Sequence, residues 1–134
     1  MTNKEIKIAY QEYNSLEELE SNDRRLADAA IQATGLSYAP YSNFNVGAAV
    51  MLEDGEIVKG SNQENAAFPS GLCAERTALF YASSSRPDKA ITAIAIAAGQ
   101  NGVLCTSPVT PCGACRQVMA QYQTKGGRPL ATLL

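Results

Sequence analysis

Val46-Gly47-Ala48-Ala49-Val50-Met51-Leu52, then Glu53-Asp54-Gly55, then Glu56-Ile57-Val58-Lys59-Gly60, is the stretch that decides the fold. A strand with one wet face alternates apolar and polar residues, so the nearly continuous apolar run from Val46 to Leu52 implies a sheet covered by helices on both sides. Asp54-Gly55 suits a tight hairpin turn, and Ile57-Val58 brings the chain back as a second strand.

Working outward, the helical pattern upstream begins at Asp23. Leu26, Ala29, Ala30 and Ala33 share one face, and Gly35 fits the position just past a helix end. Ser15-Leu16-Glu17-Glu18 has capping-box form, and Tyr38 to Asn43 reads as a loop punctuated by Pro40. Downstream, Ala90 to Ala98 predicts a second buried strand and Pro129 to Leu134 another. Cys73 to Ala82 predicts a helix that ends at a serine run and Pro87. Cys112 to Tyr122 predicts a further helix, stopped at Gly126-Gly127. Helix, hairpin, helix, strand, helix, strand makes an α/β layered domain. The chain reads as a single domain over 1–134, with 1–21 an N-terminal extension whose default is a strand or helix packed on the surface.

Composition narrows the chemistry. The chain has 134 residues, 46% hydrophobic and 18% charged, which are globular values. Eleven basic residues against thirteen acidic ones give a net charge of −2, so no basic groove for RNA or DNA is expected. The longest apolar stretch, Ala93 to Ala98, is too short to cross a bilayer, and the first residues carry no export signal. A reduced cytoplasmic setting and metal-binding thiols are therefore expected of the four cysteines. Histidine is absent. That removes Ser-His-Asp and Cys-His mechanisms and every zinc site using imidazole. Acid–base work must fall to a carboxylate, a metal-bound water, or a perturbed Lys or Cys.

Two motifs answer that requirement: Cys73-Ala74-Glu75 and Pro111-Cys112-Gly113-Ala114-Cys115. Each opens a predicted helix, where unpaired N–H groups and the positive dipole end favour thiolate over thiol. Cys112 and Cys115 share one helical face. Three thiolates can hold one zinc and leave a fourth position for water, whose pKa the metal lowers to about 7. Glu75 stands close enough to take that proton. Arg76 and Arg116 can offset the excess thiolate charge. A closed four-cysteine site including Cys105 is the competing reading. Against it, Cys105 has no partner cysteine at the usual short spacing, and Glu75 would be left unexplained.

These residues fall within four blocks: Tyr38-Ala39-Pro40-Tyr41-Ser42-Asn43-Phe44-Asn45-Val46-Gly47-Ala48-Ala49, Asn62-Gln63-Glu64-Asn65-Ala66, Cys73-Ala74-Glu75-Arg76-Thr77-Ala78 and Pro111-Cys112-Gly113-Ala114-Cys115-Arg116-Gln117. In order and spacing they resemble the small, three-cysteine cytidine deaminases. The resemblance implies a three-layer α/β/α sandwich with a mixed central sheet. It implies hydrolysis of cytidine and deoxycytidine to uridine and deoxyuridine with release of ammonia, as in pyrimidine salvage, on one zinc per chain.

By the same likeness Cys73, Cys112 and Cys115 bind zinc, Glu75 moves protons, and Arg76 bonds the thiolates. Phe44 packs against the pyrimidine, Asn62 and Glu64 hold the ribose 3′-hydroxyl, and backbone groups of Ala74 and Thr110 read the base edge. Family members of this type are homotetramers. By composition alone Phe44 is as well explained by a core position, and Asn62 and Glu64 as loop polars. Two departures stand out. Phe68 replaces a tyrosine that many relatives carry, and the chain ends at Leu134, where relatives continue into another strand and a C-terminal segment. The last strand is then expected to be a bare sheet edge. The rivals are a deaminase of another aminopyrimidine nucleoside and a non-catalytic zinc-stabilised relative.

Overall fold

The computed structural model describes residues 1–134. Its elements run α1 (Ser21–Thr34), β1 (Phe44–Leu52), β2 (Ile57–Ser61), α2 (Ala74–Ser85), β3 (Ile91–Gln100), β4 (Val103–Leu104), α3 (Gly113–Gly126) and β5 (Ala131–Leu133). β1 and β2 form the expected antiparallel hairpin, Val50 opposite Val58. Its turn is Glu53-Asp54-Gly55, closed by Leu52 N–H to the Glu56 carbonyl at 2.9 Å. Gly55 sits at φ 85°, where a side chain would be strained.

β1 pairs antiparallel with β3 on its other side, Val50 opposite Ile94. β3 in turn meets β4 antiparallel near its end and β5 parallel near its start. The sheet is mixed, as the resemblance implies, and β5 pairs with β3 alone.

The unbroken apolar run of β1 serves two cores. Ala48, Val50 and Leu52 pack with Ile94, Ile96 and the α2 residues Ala74, Ala78, Leu79 and Ala82, with Val118, Met119 and Tyr122 of α3 at the margin. Ala49 and Met51 face the other way, onto Leu26 and Ala30 of α1. Successive strand residues point to opposite faces, so α1 covers one side of the sheet and α2 with α3 the other. Two glycines let the helices come close. A Cβ on Gly47 would collide with the backbone of Ala30 and lie 2.5 Å from Thr34 N. One on Gly60 would collide with the Ala78 backbone and lie 2.9 Å from the Ala74 carbonyl oxygen.

The structure departs from the sequence reading in four places. Gly35 follows α1 but holds φ −69°, so the helix end tightens through short-range bonds rather than a left-handed cap. Ser15 makes no capping bond, and Glu18 instead accepts from Asn14 N–H at 3.0 Å. No strand or helix forms before Leu16, and Ile6, Ile8 and Tyr10 stay exposed rather than packed. β4 was not expected. It follows Asn101-Gly102, both at positive φ, the Asn-Gly signature of a two-residue hairpin. No helix is long and apolar enough to cross a membrane.

Candidate metal and catalytic site

Both cysteine motifs sit at helix starts. Cys73 is the residue capping α2, with φ −68° and ψ 155°, and Cys112 holds the same extended geometry at the start of α3. The Cys112 sulfur accepts from Cys115 N–H at 3.5 Å, satisfying one of the unpaired donors of that helix. Cys115, one turn in, is fully buried. The Cys73 and Cys112 sulfurs stand 3.9 Å apart, and all three sulfurs lie within 4.8 Å of one another. Cys105 lies outside this group, exposed just after β4, so the closed four-cysteine site does not form.

Zinc–sulfur bonds of about 2.3 Å in tetrahedral geometry put sulfurs about 3.8 Å apart. The observed spacing fits that metal with little adjustment. Arg76 supplies a second mark of fit. Its Nη2 reaches the Cys73 sulfur at 3.6 Å, while its buried Nε has no partner. A guanidinium held there is out of place beside neutral thiols and well placed beside thiolates. Arg116 is exposed, and its side chain reaches no sulfur.

The three thiols are not equivalent. The Cys115 N–H hydrogen bond draws the Cys112 thiol below its ordinary range. Burial pushes the Cys115 thiol strongly up, and the neighbouring Glu75 carboxylate pushes it further. Glu75 lies in the first turn of α2 with only 5% of its surface exposed. A carboxylate this enclosed, beside the sulfurs, is a group whose burial a purely structural zinc site would not need.

Gln63 pairs with Leu72, the residue before Cys73, and a polar clamp is built from the residues on either side of Gln63. The Asn62 side chain donates from Nδ2 to the Phe44 carbonyl at 2.9 Å. Its Oδ1 accepts from Val46 N–H at 2.8 Å and from the Ser37 hydroxyl. Glu64 Oε2 accepts from Tyr41 N–H at 2.8 Å and Ser42 N–H at 3.3 Å, and Oε1 accepts from the Ser42 hydroxyl. The Ser42 hydroxyl and these backbone donors hold the Glu64 carboxyl below its ordinary range. Phe44 is half-buried and belongs to neither core, so a plain packing role does not explain it. Ala74 is buried at the first position of α2, and Thr110 is exposed in the loop before Pro111. Sequence reasoning missed Ser37 and Ser42 as the groups that orient Asn62 and Glu64. Ser37 immediately precedes Tyr38–Asn43 and Ser42 lies within it, a loop that opens the first matching block but carries no spacing that ties either serine to Asn62 or Glu64.

Residues 20–126 match the family described as the cytidine and deoxycytidylate deaminase zinc-binding region. The chain belongs to that family. Membership brings with it zinc as the metal and hydrolytic deamination as the enzyme class. Among curated members of the family, the cytidine deaminase of Halalkalibacterium halodurans is 50% identical over 97 residues, which cover 72% of this chain and 68% of the relative. That of Sporosarcina psychrophila is 49% identical, over 64% of this chain and 59% of the relative. The chain thus spans about three fifths to two thirds of the length of these family members. The crystal structure of the family's cytidine deaminase from Mycobacterium tuberculosis superposes with a TM-score of 0.69 at 34% identity, covering 84% of this chain and 85% of that one.

Proposed function

We propose that the chain hydrolyses cytidine and deoxycytidine to uridine and deoxyuridine. Water adds to the base at C4, and the exocyclic amine leaves as ammonia. The observation that carries this reading is the convergence of three helix-start sulfurs beside a buried carboxylate two residues from one of them. Cys73, Cys112 and Cys115 would hold the metal. Zinc bound there supplies a Lewis acid that makes water nucleophilic near neutral pH. Glu75 takes the proton from the attacking water and delivers it to the ring nitrogen; it then takes the proton of the new C4 hydroxyl and passes it to the amine, which leaves as ammonia while the C4 carbonyl forms. Arg76 balances the thiolate charge. Phe44 packs on the pyrimidine, and backbone groups of Ala74 and Thr110 meet its polar edge.

The sugar contact is the one the resemblance implies, and the unused hydrogen-bonding capacity of Asn62 and Glu64 supports it. Asn62 has both Oδ1 lone pairs occupied and one Nδ2 hydrogen committed, which leaves one donor. Glu64 has both lone pairs of Oε2 and one of Oε1 occupied, which leaves one acceptor. One spare donor and one spare acceptor, on residues two apart in the chain, suit a single hydroxyl, and by the resemblance that hydroxyl is the ribose 3′-hydroxyl.

The same reading takes residues 1–134 as one domain, with 1–21 appended to it, acting in the cytoplasm in pyrimidine salvage. It takes the assembly as a homotetramer. In support, Tyr41 and Phe68 meet edge to face at 6.4 Å yet stay 56% and 62% exposed next to the clamp, as an inter-subunit contact would leave them in one chain alone.

Incubating the zinc-loaded protein with cytidine and following the ultraviolet change to uridine tests the proposal. Glu75→Gln should keep its zinc and lose roughly two to four orders of magnitude in rate. Equal rates in the two proteins would remove Glu75 from its role. Zinc content without turnover in the parent protein would favour a zinc-stabilised binding protein.

A further inference from the structure

The Ser42 hydroxyl is the point where the base-packing and sugar-binding parts of the site meet. It accepts from Phe44 N–H at 3.1 Å and donates to Glu64 Oε1. Asn62 grips the same residue from the other side, through the Phe44 carbonyl at 2.9 Å. Both backbone polar groups of Phe44 are therefore held by side chains of the clamp. Asn43, between Ser42 and Phe44, has φ 55°, a left-handed conformation that costs free energy unless its surroundings enforce it.

We infer that Ser42 is a positioning residue for nucleoside selectivity, fixing the Glu64 carboxylate so that a single acceptor site remains for a sugar hydroxyl. The inference rests on the sugar-contact reading above. Without the Ser42 hydroxyl, Glu64 Oε1 has two free lone pairs and loses its only side-chain donor. Its carboxylate can then turn about the remaining bonds to Tyr41 and Ser42 N–H and satisfy itself with water. A sugar hydroxyl would meet a hydrated, mobile acceptor in place of an oriented one, and its contribution to binding would shrink. An ordinary loop-stabilising serine would act differently, since its loss would weaken every ligand of the site alike.

The test measures calorimetric binding of uridine and 3′-deoxyuridine to zinc-loaded parent protein and to Ser42→Ala, Ser42→Thr and Ser42→Cys. Binding of this pair is independent of turnover, so it is read separately from the deamination assay. The parent should prefer uridine by roughly tenfold or more, as expected for one hydrogen bond to a charged group. Ser42→Ala should lose most of that preference, chiefly through weaker uridine binding, with 3′-deoxyuridine changed by no more than about twofold. Ser42→Thr, which keeps the hydroxyl, should restore it, and Ser42→Cys, a weak donor of similar shape, should fall between. The cysteine variant also carries the test should the alanine variant fold poorly. Equal weakening of both ligands, or an undiminished preference in Ser42→Ala, overturns the role of Ser42 and leaves the sugar contact standing. No preference in the parent overturns the sugar contact and the role of Ser42 with it, whatever the deamination assay shows.

Discussion

The Cys73 and Cys112 sulfurs lie 3.9 Å apart across 39 residues of chain, each at the start of a different helix. Neither helix could be aimed alone. α2 is seated on β1 and β2 through Ala74, Ala78 and Leu79, and α3 leans on the same core through Val118, Met119 and Tyr122. The sheet fixes where both helix starts point, and the metal site is a product of that packing.

Zinc uptake should rise with pH. Metal and protons compete for the same sulfurs, so each thiol still protonated in the free protein adds about one log unit of affinity per pH unit. Cys115, pushed up by burial and then by Glu75, keeps its proton beyond the ordinary thiol range, whereas Cys112 is drawn down. The rise should therefore continue through neutral pH into mild alkali. Competition against a chromophoric chelator between about pH 6 and 9 measures it. A flat profile would mean that the buried sulfur takes no part.

Gly60→Ala should destabilise the protein and disturb the site together. The added methyl has no room against the backbone of Ala74 and Ala78, so α2 must shift off the sheet, taking Cys73 and Glu75 with it. Overpacking of this kind costs about 2–3 kcal/mol, roughly a 10 °C fall in Tm for a chain of this length. Thermal unfolding with and without zinc checks it, and the zinc-dependent part of the stability should shrink as well.

Asn62→Ala should cost stability before any ligand is added. It leaves the Phe44 carbonyl, Val46 N–H and the Ser37 hydroxyl without their partner. Asn62 is half-buried and water can reach part of the loss, so about 2 kcal/mol is expected in denaturant unfolding. Nucleoside affinity should fall further than stability alone explains, because the one free donor is also removed.

The scaffold was legible where one physical signal dominated. The doubly apolar run of β1 announced a sheet covered on both faces, and both cysteine motifs opened helices as their residues implied. What escaped was mostly polar and short. β4 is a two-residue, exposed strand with no hydrophobic pattern, and only Asn101-Gly102 marked it. The roles of Ser37 and Ser42 depend on a fold that brings them to residues 25 and 22 positions away, a proximity that no local spacing encodes. The segment before Leu16 carries Ile6, Ile8 and Tyr10 in alternation, yet it gains no surface to pair with.

The Glu64 carboxylate should stay charged to lower pH than a free glutamate does. Its pKa in the folded chain is lowered, first by the Ser42 hydroxyl and then by the Tyr41 and Ser42 N–H groups. A depressed carboxyl contributes its ordering of the loop above the unfolded value, about 4.3, and loses it as pH falls through the lower folded value. The side-chain carboxyl resonance of Glu64, with the Tyr41 and Ser42 amide shifts, should therefore titrate below the midpoint of a free glutamate. Activity cannot report this step, because the thiolates take up protons and release zinc in the same range. Ser42→Ala should move the midpoint upward, toward that of a free glutamate. A parent midpoint at or above the free value would show that the clamp does not hold the charge.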